Sequence, residues 1–152
     1  MVSPELLRRY PFFASLDDKK LKAIAMITQE KSYPKAALLI KENTTATLLA
    51  LMIEGDADLL YSGGGEGAIS NALVGSIAPG EIYGVSALIE PYCYTATLKA
   101  TMPTRVLEID GLALRDLIEK DPTLGYVIMC NIAKAVLERL KYTQVELAAA
   151  RA

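Results

Sequence analysis

The spacing of apolar residues changes twice along the chain. Over residues 4–30 they recur at mixed three- and four-residue intervals, as on one face of a helix. From Tyr33 to about Ile109 they form short runs separated by turn residues, a pattern typical of short strands in a sandwich, roll or barrel. After Asp110 the helical spacing returns. The pattern therefore predicts helices, then a mainly β region, then helices again.

The N-terminal helical region contains breaks at Pro11 and at Ser15-Leu16-Asp17-Asp18. Proline ends a helix that precedes it, and serine is a common N-cap. We therefore expect two short helices, with Ser15 as the N-cap of the second and Asp18 in its first turn.

The C-terminal region predicts two helices. Asp110-Gly111 opens the first, which runs to about Lys120, and Asp121-Pro122 separates it from a long helix over residues 123–150. An apolar stripe follows the long helix at alternating spacings of three and four: Ala133, Val136, Leu140, Thr143, Leu147 and Ala150. This is the heptad seam of a two-helix coil and predicts a homodimer. The alternative is that the stripe packs against the chain's own β region.

Length and composition indicate a single folded domain covering residues 1–152. The chain has 152 residues, of which 52% are hydrophobic and 22% charged, so it carries enough apolar side chains for one core. It has neither a secretory start nor an apolar run near the ~20 residues of a membrane span. Cys93 and Cys130 are expected to be small buried residues and not a disulfide, and the expected location is the cytoplasm.

Charge and residue types argue against two function classes. The chain has 16 basic and 18 acidic residues and no Lys/Arg run longer than a pair, so no basic face for nucleic acid is expected. It has no histidine, the usual general base and commonest metal ligand. We therefore expect a protein that is not an enzyme and has no metal site.

A glycine-rich stretch formally fits a dinucleotide-binding pattern through Gly63, Gly65 and Ala68. That pattern requires a helix directly after it, because helix N–H groups hold the pyrophosphate. Here residues 68–74 read as another strand. We interpret the stretch as a hairpin tip.

The most informative segment is residues 78–98. Pro79-Gly80 predicts a turn, Ile82-Tyr83 a short strand, and Gly84 a backbone conformation that other residues resist. Residues 86–89 then predict one helical turn whose free N–H groups could hold an anion, with the hydroxyl of Thr95 nearby.

This segment resembles the phosphate-binding cassette of cyclic nucleotide-binding domains of the catabolite activator protein type. The family pattern is approximately P-G-[DE]-x-[FY]-G-E-x-A-L followed, after a short gap, by R-[ST]-A. The matching positions are Pro79, Gly80, Glu81, Tyr83, Gly84, Ala87, Leu88, Thr95 and Ala96. The resemblance covers essentially the whole chain. It implies a double-stranded, jelly-roll-like β-roll over residues 31–109, short N-terminal helices over 1–30, and C-terminal helices with a long last helix over 110–152.

Two departures from the family pattern bear on the ligand. Val85 stands where the family has the glutamate that accepts a hydrogen bond from the ribose, and Tyr94 where it has the arginine that pairs with the cyclic phosphate. No Lys or Arg occurs from Ala78 to Leu98. A charge-assisted contact contributes about 1.5–3 kcal/mol, so we expect cAMP affinity roughly two to four orders of magnitude below the family's. A smaller departure is Ala36, where the family often has a turn glycine.

We therefore expect a non-catalytic ligand-sensing regulatory domain with altered or lost cAMP/cGMP specificity. The candidate ligand-binding residues are Tyr83, Gly84, Val85, Ser86, Ala87, Tyr94, Thr95 and Ala96. Their apolar, aromatic character suits a neutral or aromatic ligand, or else the tyrosines simply fill the cavity. The alternatives are a genuine cAMP/cGMP-binding domain and a structural or protein-interaction subunit. No cofactor is specified beyond a cyclic nucleotide or other small ligand, and no helix-turn-helix follows, so direct DNA binding is not expected.

Overall fold

The computed structural model describes residues 1–63 and 71–152. Three short helices come first: α1 (Pro4–Arg8), α2 (Pro11–Ala14) and α3 (Asp18–Met26). Eight strands follow: β1 (Thr28–Tyr33), β2 (Leu38–Ile40), β3 (Leu48–Glu54), β4 (Ala57–Tyr61), β5 (Ala72–Ile77), β6 (Ile82–Tyr83), β7 (Thr97–Ala100) and β8 (Thr104–Asp110). A 3-10 helix (Val85–Leu88) lies between β6 and β7, and α4 (Gly111–Lys120) and α5 (Pro122–Ala150) complete the described chain.

The strands form two four-stranded antiparallel sheets, ordered β1-β8-β3-β6 and β2-β7-β4-β5. Side chains from both sheets, such as Ala50 and Val106 from the first and Leu98 from the second, share one buried cluster between them. The predicted mainly β roll with short N-terminal helices and a long C-terminal helix is confirmed.

The first sheet separates two buried clusters, which we call the helix-side core and the roll interior. Along β8 successive side chains alternate, so that Leu107 and Ile109 face the helices while Val106 faces the second sheet. The helix-side core combines side chains of the helices and the outer sheet face, including Leu7, Phe13, Leu21, Ile24, Leu51, Leu107, Ile109 and Ile128. The roll interior includes Leu39, Ala50, Met52, Ile77, Tyr83, Ala87, Tyr94, Leu98 and Val106, with Tyr33 against it.

The N-terminal helices differ from the prediction. There are three short helices, not two, and they end at Met26 instead of residue 30, because Thr28–Tyr33 is a strand in register with β8 from Thr28 opposite Ile109 to Tyr33 opposite Thr104. The N-cap of α3 is Asp17, whose carboxylate accepts from Lys20 N at 2.9 Å, and not Ser15. Aspartate two residues later in the chain therefore sets where this helix begins.

The turn after β1 places Ala36 in a backbone conformation that favours glycine. Ala36 has φ 73°, in the left-handed region. The backbone holds it there through Ala36 N donating to Ala100 O at 2.8 Å. The turn therefore has a left-handed backbone although its residue is alanine.

The two C-terminal helices begin and end close to the predicted residues. Asp110 accepts from Ala113 N at 3.0 Å to cap α4, and Asp121 accepts from Leu124 N at 3.2 Å to cap α5. The face of α5 that packs on the domain is formed by Leu124, Ile128 and Ile132, which are buried. The predicted seam lies on another face, and all six of its residues are exposed: Ala133, Val136, Leu140, Thr143, Leu147 and Ala150. The interpretation that the seam packs on the chain's own roll is wrong, and the homodimer stays a prediction.

The two cysteines and the glycine-rich stretch are also the subject of predictions. Cys93 and Cys130 are free thiols, as expected, but both are half-buried and not fully buried. Gly65 and Ala68 lie outside the described residues, as does most of the predicted hairpin tip. In the part of the chain that the structure describes, no helix is both long and apolar enough to cross a bilayer.

Candidate functional site

The candidate site is built around the turn between β6 and the 3-10 helix. Gly84 adopts φ 77°, and a Cβ atom added there would lie 2.5 Å from the carbonyl oxygen of Leu48. Only glycine fits this combination of left-handed backbone and close approach. The helical turn that follows spans Val85–Leu88, one residue earlier than predicted.

The loop after the 3-10 helix is held by the connection between β2 and β3. Asn43 N donates to Tyr94 O at 2.9 Å, and Tyr94 N donates to Thr44 O at 3.0 Å. Ala46 N donates to Tyr92 O at 2.7 Å. Backbone hydrogen bonds to a neighbouring segment therefore fix the position of Tyr94.

Tyr94 fills the position that the resemblance assigns to an arginine. Its side chain is 5% exposed, and its hydroxyl donates to Leu48 O at 2.9 Å and accepts from Leu48 N at 3.0 Å. Its ring lies against the cassette turn, with Cε1 3.5 Å from where a Cβ of Gly84 would stand. Burial raises the pKa of Tyr94, so the phenol is neutral. The position that the resemblance assigns to an arginine is thus occupied by an uncharged side chain that is hydrogen-bonded to the backbone of Leu48.

The structure brings together only some of the predicted site residues. Tyr83, Ala87 and Tyr94 belong to the roll interior, with Gly84 buried beside them. Val85 instead packs against the helix-side core, and Thr95 is exposed at the surface. Ser86 and Ala96 are half-buried. The two family-defining positions, 85 and 94, therefore place their side chains in different clusters.

The roll interior also contains a polar pair that sequence reasoning missed. Glu108 is 6% exposed, and the Tyr33 hydroxyl donates to its Oε2 at 2.5 Å. Burial and this hydrogen bond raise the pKa of Tyr33 far above its usual range. A signal was available, because Glu108 is a lone charge within the apolar run Val106-Leu107-Glu108-Ile109.

Tyr83 differs from the other two interior tyrosines. Its side chain is 2% exposed, and its hydroxyl has no hydrogen-bond partner among the described residues. Burial raises the pKa of Tyr83, and the negative charge of Glu108 raises it further. The interior thus presents a carboxylate and neutral phenols, a set that disfavours an anionic ligand.

The cassette loop is also tied to α4. The guanidinium carbon of Arg115 lies 3.7 Å from the centroid of the Tyr92 ring, a cation–π contact. Tyr92 has φ 57°, a conformation that costs a non-glycine residue about 1–2 kcal/mol. Gly111 N, at the start of α4, donates to Thr47 O at 2.8 Å. The C-terminal helices therefore begin in direct contact with the segments that hold the cassette.

Within residues 1–63 and 71–152, no cluster of three or more Cys, Asp or Glu side chains is arranged to hold a metal ion. The cassette and the adjoining roll interior present phenols, one carboxylate and backbone groups.

Comparison with known proteins identifies relatives of this arrangement. A protein of Geobacter metallireducens GS-15, described as a cyclic nucleotide-binding protein, is 48% identical with a TM-score of 0.82, over 92% of this chain and 99% of that one. A Rhodopseudomonas palustris protein named as a potassium channel is 24% identical over 82% of this chain but only 29% of its own length.

A third relative shares the fold. It is the regulatory subunit of a cAMP-independent protein kinase A from Trypanosoma brucei, solved as a mutant bound to cAMP, with 17% identity, a TM-score of 0.73 and coverage of 94% of this chain and 49% of that one. The chain thus spans less than half of the channel and kinase relatives.

The family model for the cyclic nucleotide-binding domain matches residues 30–121, which include the whole cassette and all of both sheets except the first two residues of β1. With the roll, the glycine turn and the flanking helices in the family's order, this chain belongs to the cyclic nucleotide-binding domain family.

Proposed function

We propose that this chain is a non-catalytic regulatory domain in which cAMP and cGMP specificity has been altered or lost. The observation that carries the proposal is the position of Tyr94, whose hydroxyl is hydrogen-bonded to both Leu48 N and Leu48 O. A neutral phenol whose hydroxyl is already bonded to the protein offers a cyclic phosphate neither a positive charge nor a free donor. The site is closed by the residue that would be expected to hold the ligand.

The charge of the roll interior supports the same conclusion. Glu108 places a buried carboxylate in the interior, and residues 78–98 contain no Lys or Arg. Loss of the arginine contact and of the ribose contact at Val85 together predicts cAMP affinity roughly two to four orders of magnitude below that of a complete cassette. Any ligand of the roll interior is expected to be neutral and aromatic.

The kinase relative offers a parallel. It is described as cAMP-independent, and the cAMP-bound form is a mutant in which a glutamate, a threonine and a valine are replaced, the threonine by arginine. A domain of this fold can therefore be unresponsive to cAMP as it occurs and bind cAMP after a change that includes a new arginine. By analogy, we propose that replacing Tyr94 with arginine would allow the present chain to bind cAMP.

A second candidate function is genuine cyclic-nucleotide binding. The backbone of the cassette favours it, because Gly84 keeps its left-handed conformation and the 3-10 helix is formed. In this case backbone N–H groups would hold the phosphate without an arginine. Titration with cAMP separates the two candidates.

We further propose a homodimer as the working form. The exposed seam of α5 includes Val136, Leu140 and Leu147, whose side chains are 45%, 49% and 50% exposed. Pairing two such stripes would remove this apolar surface from water. A cytoplasmic location, an output through a protein partner, no enzymatic activity and no direct contact with DNA or a membrane complete the proposal.

The test is a gain of function in the variant Tyr94→Arg. We expect it to bind cAMP at least tenfold more tightly than the wild-type chain in isothermal titration calorimetry. The matched control is Tyr61→Arg, which adds the same charge at a half-exposed position on β4. The single variant Tyr94→Arg is a clearer test than the double variant with Val85→Glu. A glutamate at position 85 would face the apolar helix-side core and could destabilise the fold.

If folded Tyr94→Arg binds cAMP no better than Tyr61→Arg, the assignment of Tyr94 to the phosphate position is wrong. Circular dichroism establishes that each variant is folded. Should Tyr94→Arg fail to fold, titration of the wild-type chain decides the question, since micromolar cAMP binding contradicts the proposal by itself.

A further inference from the structure

A groove lies between α5 and the edge strands β5 and β6, and Gly80, Glu81 and Ile82 at the start of the cassette segment form part of its lining. Its volume is about 670 Å³, within the range of small-molecule sites. Its lining includes Phe12, Val74, Ile82, Ala135 and Arg139, and none of residues 83–96. The groove therefore excludes the cassette glycine Gly84, the 3-10 helix and Tyr94.

Arg139 is the central charged group of this groove. It is half-buried, and one guanidinium nitrogen donates to Ile82 O at 3.1 Å. Among the described residues it forms no ion pair within 4.0 Å. Burial lowers its pKa, which reflects the cost of keeping a cation away from water. A guanidinium has five N–H donors, so donors remain for an incoming acceptor.

The carboxylates that line the groove do not neutralise Arg139 directly. Glu81 accepts from Ala78 N at 2.8 Å within its own turn and forms no ion pair with Arg139, although its negative charge raises the pKa of Arg139 against the effect of burial. Glu138 and Glu146 are exposed on α5, where water and salt screen their charge. Lys134 adds a second, exposed cation to the lining. The least hydrated charge in the groove is therefore positive.

The rest of the groove supplies apolar surface. Phe12 and Ile82 are buried side chains that line it, and Val74 on β5 is 38% exposed. A ligand with one anionic group and an apolar or aromatic body would place the anion on Arg139 and the body on these residues.

We propose that this groove binds a small organic anion with an aromatic or aliphatic body, and that Arg139 is its anchoring residue. Arg139 connects α5 to Ile82, two residues before the cassette glycine. A ligand held by the remaining guanidinium donors would lie beside this hydrogen bond and so contact α5 and the roll at once. The site goes beyond the proposed function, since its anchoring residue lies on α5 and its lining includes none of residues 83–96.

The test uses 1-anilinonaphthalene-8-sulfonate, an aromatic sulfonate whose fluorescence reports binding. We expect saturable binding of one molecule per folded chain, weakened about tenfold or more by Arg139→Gln, which corresponds to one charge-assisted contact. Arg151→Gln, on the exposed end of the same chain, is the matched control and should change affinity less than twofold. The uncharged analogue N-phenyl-1-naphthylamine should bind the wild-type chain and Arg139→Gln with affinities within twofold.

A second variant keeps the proposal falsifiable if Arg139→Gln does not fold. Arg139→Lys retains the charge without the planar fork, so we expect it to bind the sulfonate more than twofold more weakly than the wild-type chain, and an unchanged affinity would overturn the proposal. Absence of saturable binding to the wild-type chain would overturn the proposal. So would equal affinities of wild type, Arg139→Gln and Arg151→Gln, because binding would then take place elsewhere. Neither result bears on the cAMP titration, which reports on the cassette alone.

Discussion

The two faces of the sheet β1-β8-β3-β6 pack against different surroundings. The helix-side core consists of aliphatic and phenylalanine side chains. The buried hydroxyl of Thr28 beside it has a hydrogen-bond partner, since it donates to Ile24 O at 2.7 Å. In the roll interior lie the carboxylate of Glu108 and the hydroxyl of Tyr83, which has no partner among the described residues. The helix-side core is thus built for stability, whereas the roll interior keeps polar groups that stability alone would not select.

The largest expected effect comes from breaking the helix-side core. Phe13 is fully buried and packs edge-to-face on Phe12 with ring centroids 4.9 Å apart. Phe13→Ala should lower the free energy of unfolding by about 3–5 kcal/mol, through lost burial and the cavity left behind. Urea unfolding followed by circular dichroism measures it. A loss below about 1 kcal/mol would show that this core does not carry the stability assigned to it.

A smaller effect is expected where Tyr94 closes the roll interior. Tyr94→Phe keeps the ring and removes the hydroxyl that is hydrogen-bonded to Leu48 N and Leu48 O. We expect a loss of about 1–3 kcal/mol in unfolding free energy, since buried backbone groups lose a partner. The same urea titration measures it. An unchanged stability would mean that the hydroxyl does not fasten the loop.

The roll interior should also make the domain sensitive to high pH. The pKa values of Tyr33, Tyr83 and Tyr94 are raised in the folded chain. The folded state therefore holds these protons more tightly than the unfolded state, whose tyrosines titrate near pH 10. The stability that depends on the neutral phenols is fully present below about pH 10 and is lost as the pH rises further. Urea midpoints at a series of alkaline pH values should fall more steeply for the wild-type chain than for Tyr83→Phe.

The smallest effect is expected from Tyr83→Phe at neutral pH. Because its hydroxyl has no partner among the described residues, removing it should cost nothing or stabilise the domain by up to about 1 kcal/mol. Thermal unfolding measures this change. A loss above about 1 kcal/mol would show that the hydroxyl is bonded in solution, for example to a buried water, and would weaken the contrast between the two faces.

Local signals in the sequence predicted the parts of the fold that depend on neighbouring residues. Asp110 and Pro122 mark the starts of α4 and α5, because caps act within one helical turn. Strand β1 was missed, since its sequence Thr-Gln-Glu-Lys-Ser-Tyr is mostly exposed and its partner β8 lies far away in the chain. Periodicity carries no information about such pairing.

The site was less predictable than the fold for the same reason. The contact of Tyr94 with Leu48 spans 46 positions in the chain, and that of Tyr33 with Glu108 spans 75. Val85 lies in the 3-10 helix, and the geometry of that helix decides that its side chain packs on the helix-side core and not in the roll interior. The motif does not specify this geometry. A motif identifies the residues of a cassette, whereas three-dimensional packing decides which of them face the same chamber.

The most direct test of the central claim, that Tyr94 closes the cassette to cyclic nucleotides, is isothermal titration of the wild-type chain with cAMP up to millimolar concentration. We expect no saturation below the millimolar range. Saturable binding at micromolar concentration or tighter would contradict it, because backbone N–H groups would then suffice to hold the phosphate without the arginine.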